Sequence, residues 1–176
     1  MRQDARRNSE KVFAAAKESF AEQGLAVTME GVARRTGVGV GTLYRRFGSR
    51  AGLVEALYHD AVEQVAAQAA SLAAHGDPWE ALARWCRAYV DLLATKRTML
   101  AELAPLFEQR PDWHDDHRRR ARTILGGFLS RAQAAGVARA DIDAGDLITL
   151  LNAGKSGHSD RLLDIVLAGI RQRDTA

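Results

Sequence analysis

An all-α fold is what this sequence predicts, and three observations carry that prediction. Apolar residues recur at three- and four-residue spacing in segment after segment, as one face of a helix requires. No segment shows sustained alternation of apolar and polar residues, the pattern of a half-buried strand. Only three prolines, at 78, 105 and 111, interrupt 176 residues rich in Ala, Leu, Arg and Glu. The spacing predicts about nine helices.

The first helix runs from Asp4 to Gly24, with Val12, Phe13, Ala16, Phe20 and Ala21 on one face and Gly24 placed to end it. Thr28 suits the N-cap of a short helix to Thr36, with Val32 and Ala33 facing inward. Gly37, Val38 and Gly39 break it. A second short helix follows through Phe47, and Gly48 and Ser49 stop it, with Ser49 as the next cap. A long helix runs from Arg50 towards Leu72. The stretch from Ala74 to Pro78 is the strongest boundary signal, with Asp77 a good cap before a proline in the first turn. Helices are then expected over Pro78 to about Ala94, Thr98 to Gln109 and Asp112 to Ala135, and Pro105 should kink or divide the second. Asp143 to Ala153 and Ser159 to Gln172 give the last two. The order splits the chain into residues 1–58, centred on the two short helices, and residues 59–176.

Composition excludes several classes. No apolar run approaches the ~18 residues of a membrane span, and the N-terminus lacks a greasy secretory segment. Cys86 is the single cysteine, so no internal disulfide forms and no structural zinc is held. A soluble, reduced, cytoplasmic protein is expected. Charge divides unevenly: residues 1–58 carry ten Lys and Arg against six Asp and Glu, a net of +4, and residues 59–176 a net of −1. The asymmetry points the first part at a polyanion.

Residues 28–47, TMEGVARRTGVGVGTLYRRF, have the layout of a helix-turn-helix. A recognition helix must bring its N-terminal end against the major groove; Gly39 and Gly41 permit that close approach, and Val40 between them is a further DNA-facing candidate. Thr42 offers a hydroxyl to a base edge or phosphate. Tyr44, Arg45 and Arg46 offer a phenol and two guanidinium groups. Leu43 and Phe47, four apart, should anchor the helix to Val12, Phe20 and Val32.

Here the chain resembles the TetR family of bacterial transcriptional regulators. The resemblance covers residues 9–58: Ala15, Ala16, Phe20, Ala21, Glu22 and Gly24 in the first helix, then VARRTGVGVGTLYRRF, then SRAGLVEALY from Ser49. Gly52 stands where that family often has Glu. The remaining two thirds match in architecture, with a family-like RAQAAGVARADIDAGDL stretch from Arg131 and a short Asn152-to-Ser159 connection. The resemblance implies that Thr28, Gly39, Thr42, Tyr44 and Arg50 fall on positions that touch double-stranded DNA. Arg6 and Arg7 would form a loose arm before the first helix. It also implies a homodimer formed through the last two helices on a near-palindromic operator, a small-molecule effector in the second part, and a role as repressor.

Trp85, Tyr89, Met99, Leu103, Phe107, Trp113 and Phe128 are the candidate walls of an effector cavity, which apolar walls with few polar groups would suit. A mostly apolar effector follows. Leu163, Val166, Leu167 and Ile170, together with Leu147, Ile148 and Leu151, form the stripe expected to be covered by a second copy. His114-Asp115-Asp116-His117 has metal-ligand types, but acidic residues in a helix's first turn are ordinary dipole partners, so neither metal nor cofactor is expected. Gly154-Lys155-Ser156 lacks the glycine and strand of a phosphate loop. Cys86 lies on an apolar face as inert core. The alternative reading, left open by the residues alone, is a helical small-molecule carrier or enzyme that keeps a vestigial basic module.

Overall fold

The computed structural model describes residues 2–74, 76–153 and 159–172, with α1 side chains described from Lys11 onward. Among them are nine α-helices: α1 (Arg2–Gln23), α2 (Met29–Thr36), α3 (Val40–Phe47), α4 (Arg50–Ala74), α5 (Pro78–Thr98), α6 (Leu100–Gln109), α7 (Pro111–Ala134), α8 (Ala144–Ala153) and α9 (Ser159–Ile170). A single 3₁₀ turn, Gly24–Ala26, joins α1 to the segment before α2. The all-α class holds. The only described β pairing is an isolated antiparallel bridge between Ala138 and Arg171.

The caps read from sequence are present as hydrogen bonds. Thr28 Oγ1 accepts from the Gly31 amide at 3.0 Å. Ser49 Oγ accepts from Gly52 at 3.0 Å, and Asp77 Oδ1 from Glu80 at 2.8 Å. Each satisfies one of the amides a helix start leaves unpaired. Gly37 ends α2 at φ +71°, in the left-handed region that costs other residues a Cβ clash. Gly52 has a different reason to be glycine. A Cβ there would lie 2.0 Å from the Phe47 carbonyl oxygen, so the Glu common at this place in the family cannot fit this turn.

Two compact units emerge. One comprises the described residues up to Ala61 together with Ala94–Pro111; the other comprises Val62–Leu93 and the described residues from Asp112 onward. The first unit therefore reaches close to the expected boundary at 58 and also takes in α6, which sequence order assigns to the second domain. Its core includes Val12, Phe20, Val32, Leu43, Leu53, Val54, Met99 and Leu103, each at most 2% exposed. The core of the second unit includes Leu82, Trp85, Cys86, Leu125, Leu129 and Leu147.

Three expectations need correction. Of the two outcomes expected at Pro105, division does not occur, because α6 runs unbroken through it. The amide it removes would have served Ala101, an exposed residue whose carbonyl water can satisfy. Arg6 and Arg7 belong to the backbone of α1 rather than to a loose arm; their side chains lie outside the described set. The stripe assigned to a second copy lies mostly on the inward face of α8 and α9, with Ile148 and Val166 only half-buried. Leu147, Leu151, Leu163, Leu167 and Ile170 are buried within one chain, while Leu150, Leu162 and Ile165 point outward. A terminal helix has core of its own to cover here: the Ile170 carbonyl accepts from the Arg139 amide, and the Val137 carbonyl accepts from Gln172. Most of the Asn152-to-Ser159 connection, with Gly154, Lys155 and Ser156, lies outside the described residues.

Candidate nucleic-acid interface

α3 presents two faces. Leu43 is 1% exposed, and Phe47 is half-buried with its ring 6.0 Å from that of Phe13. These anchor the helix as their four-residue spacing requires. Gly39, Val40, Gly41, Thr42, Tyr44, Arg45 and Arg46 are all exposed. The structure thus brings seven of the nine predicted DNA-facing residues onto one short segment. An exposed Thr28 opens α2, its oxygen capping the helix and its hydroxyl proton still available.

The polar groups of this face are held in place by one another. Arg45 Nη2 donates to Thr42 Oγ1 at 3.2 Å, and the Arg46 guanidinium lies 5.1 Å over the Phe47 ring. Tyr44 Oη donates to Glu30 Oε1 at 3.3 Å. The Glu30 charge beside it raises the phenol above its ordinary pKa, so Tyr44 stays a hydrogen-bond donor at neutral pH. Arg35 on α2 is withdrawn from the face. It grips Glu22 with two bonds of 2.7 and 2.9 Å and approaches Glu18 at 3.3 Å, and that grip holds the Glu22 carboxyl below its usual pKa.

Arg50 is engaged within the protein. Its Nη1 lies 2.5 Å from Glu102 Oε1 on α6, and its guanidinium sits 5.4 Å over the Phe20 ring. Glu30 and Glu102 are the residues that sequence reasoning missed. Neither shares a helix with its partner, so no local spacing announces the pair.

A model of the bacterial regulatory proteins of the tetR family matches residues 12–57, and one of the SbtR-like transcriptional regulator C-terminal domain matches residues 77–172. A crystal structure of the TetR transcriptional regulator SCO0520 from Streptomyces coelicolor is 35% identical, with a TM-score of 0.80, over 96% of this chain and 99% of that one.

The chain belongs to the TetR family.

A TetR regulatory protein from Mycobacterium vanbaalenii is 33% identical at a TM-score of 0.77, over 97% of this chain and 98% of that one. The HTH-type transcriptional regulator NfxB of Pseudomonas aeruginosa is 36% identical over 124 residues, 66% of this chain and 63% of NfxB, so the match spans less than two thirds of that protein. As a TetR-family member the chain is a DNA-binding transcriptional regulator and not an enzyme. That removes the enzyme branch of the alternative reading. No helix among the described residues is long and apolar enough to cross a membrane.

The candidate ligand residues divide between the two units of this TetR-family chain. Met99, Leu103 and Phe107 belong to the first, where Phe107 meets Tyr58 edge-on at 5.6 Å and Lys96 Nζ lies 4.6 Å over its ring. Trp85, Tyr89, Trp113 and Phe128 belong to the second. There Trp113 is edge-on to His117 at 4.7 Å, and Trp85 stacks on Tyr89 at 5.3 Å and 11°. Phe128 lies 6.3 Å from Trp85. Trp85, Tyr89 and Phe128 form one ring cluster within that unit. Phe128 also lines a cleft of about 390 Å³ between α4 and α7, walled by Ala66, Ala69, Ala70, Ala73, Ile124 and Gly127, with Arg120 and Arg131 three turns apart on α7. Arg120 pairs with Glu63, and Arg131 donates to the Ala73 carbonyl.

Proposed function

We propose that this protein is a repressor that binds a near-palindromic operator as a homodimer, α3 of each copy in the major groove, and leaves it when a small, mostly apolar molecule binds the second unit. The observation that carries the reading is Gly41. A Cβ added there would meet nothing within 4 Å, so the fold itself does not require glycine. Glycine inside a helix costs about 0.5–1 kcal/mol relative to alanine. A costly residue that the fold does not need is explained by an approaching surface, and the exposed Thr42, Tyr44, Arg45 and Arg46 make that surface DNA.

In this reading Thr42 and Val40 meet base edges, while Thr28, Gly39, Tyr44, Arg45 and Arg46 meet the sugar-phosphate backbone. Arg50 drops out of the contact set, because its guanidinium is engaged by Glu102 and Phe20. The second copy covers the outward side of α8 and α9, with Leu150, Leu162 and Ile165, which are 47%, 37% and 58% exposed. The effector binds around Trp85, Tyr89 and Phe128 and the α4–α7 cleft. Its differential affinity for two arrangements of the dimer shifts the spacing of the α3 helices away from successive grooves.

Selection of bound duplexes from a random DNA pool tests the function. The expected product is a consensus of two inverted half-sites about one helical turn apart, or a multiple of that. Retention of DNA without sequence enrichment would instead support a carrier with a basic surface.

A further inference from the structure

Two hydrogen-bond donors in the interior of the second unit point to the chemistry of its ligand. Trp85 is completely buried, and its indole Nε1–H has no acceptor among the described residues. Buried polar groups are almost always paired, and an orphaned donor carries the full cost of its lost water. Tyr89, one turn further along α5, is 6% exposed and stacks flat on Trp85. Its Oη accepts a bond from Asn152 Nδ2 at 3.3 Å, so the phenolic proton remains to be given. Burial raises the Tyr89 pKa and keeps that proton in place.

The pair is therefore donor-rich and acceptor-poor, on rings that offer apolar faces. Phe128 ties it to open space, since its ring lies against Trp85 and also lines the α4–α7 cleft of about 390 Å³. Such a volume falls within the range of small-molecule sites. Burial this deep costs a charged head more than a neutral one, and of the nearby cations Arg120 is already paired with Glu63 and Arg131 donates to the Ala73 carbonyl, while Arg118 acts on Tyr89 through its charge alone. A neutral group that only accepts hydrogen bonds meets every requirement.

Resting on the reading of this unit as the effector domain, we infer that the effector is a neutral aromatic or alicyclic molecule bearing a carbonyl. Its oxygen accepts from Trp85 Nε1–H and Tyr89 Oη–H once Phe128 swings aside.

The test uses the full chain labelled with ¹⁵N and two probes of matched shape, acetophenone and ethylbenzene. Burial of apolar surface alone makes ethylbenzene, the less water-loving of the two, the tighter ligand. Waiting donors reverse that order. Acetophenone should bind at least five-fold more tightly and move the Trp85 indole N–H resonance downfield, a peak identified by its absence in Trp85→Phe. In Trp85→Phe, and in Tyr89→Phe, which keeps the ring and its volume, the preference should shrink to two-fold or less. Ethylbenzene binding as tightly as the ketone overturns the inference. So does a ketone preference that survives both substitutions, or failure of both probes to bind. Operator release is read alongside. Ketone-selective binding without release would sink the effector reading and leave the ligand chemistry standing. Release by both probes alike would do the reverse.

Discussion

Arg50 Nη1 lies 2.5 Å from Glu102 Oε1, joining the first turn of α4 to α6 across 52 positions of sequence. Both side chains are only about a quarter exposed, and the Arg50 guanidinium also rests on Phe20. A charge-assisted bond in such surroundings outweighs a surface ion pair. Arg50→Ala should therefore destabilise the protein by about 2 kcal/mol in denaturant unfolding. The slope of log affinity against log salt for DNA should stay unchanged. A slope reduced by about one would return Arg50 to the phosphate contacts.

Arg46 and Thr42 separate backbone contact from base contact. Arg46→Ala should weaken all DNA sequences alike and reduce the salt slope by about one. Thr42→Ala should change the ranking of half-site variants while leaving the slope alone. Binding titrations at several salt concentrations against a panel of half-site variants distinguish the two. Loss of ranking in Arg46→Ala would reverse the assignments.

Glu30 places a carboxylate where phosphates are expected to come, and it holds the Tyr44 hydroxyl. Removing the charge while keeping the shape should help binding. Glu30→Gln is expected to tighten DNA binding several-fold without sequence preference, most strongly at low salt. Weakened binding on fluorescence anisotropy would show that Glu30 orients Tyr44 for contact instead of opposing it.

Much of this was legible in the sequence because it is local. Caps such as Thr28, Ser49 and Asp77 act within three residues, and the four-residue spacing of Leu43 and Phe47 fixes which face of α3 is buried. The remainder depends on distant partners. The pairing of Arg50 with Glu102 was not legible, because a cation at a helix start looks the same whether phosphate or a distant carboxylate awaits it. The stripe on α9 was rightly found and wrongly assigned, since an apolar face does not say whether its own chain or a second copy covers it. Nor does the sequence say why Gly52 replaces the family's Glu: its amide still bonds to Ser49, and the Phe47 carbonyl excludes anything larger.

The corrected orientation of α9 makes a paired prediction. Ile165→Arg, on the outward side, should yield a folded monomer in analytical ultracentrifugation and lose tight operator binding. Leu167→Arg, on the buried side, should lower the melting temperature sharply, because it forces an unpaired charge into the core. A dimeric Ile165→Arg would mean that the second copy docks elsewhere.

Cys86 is fully buried, and desolvation pushes its thiol up to about 12. The nucleophilic thiolate is then nearly absent in the folded state at pH 8. Iodoacetamide should leave the native protein unlabelled at that pH and label it rapidly in denaturant, as read by mass spectrometry. Because the raised pKa favours the protonated form, this contribution to stability is present below the ordinary thiol range and fades as pH climbs through it towards 12. Fast native labelling at pH 8 would contradict the reading of Cys86 as inert core.

The claim that α3 meets DNA through its slim N-terminal end is tested most directly at Gly41. Alanine there encounters no atom of the protein and improves helix propensity. The measurement is operator affinity and thermal stability of Gly41→Ala, taken on the same preparation. The expected result is a melting temperature equal to or above that of the parent, with operator affinity reduced ten-fold or more. A stabilised variant that binds the operator as tightly as the parent would contradict it.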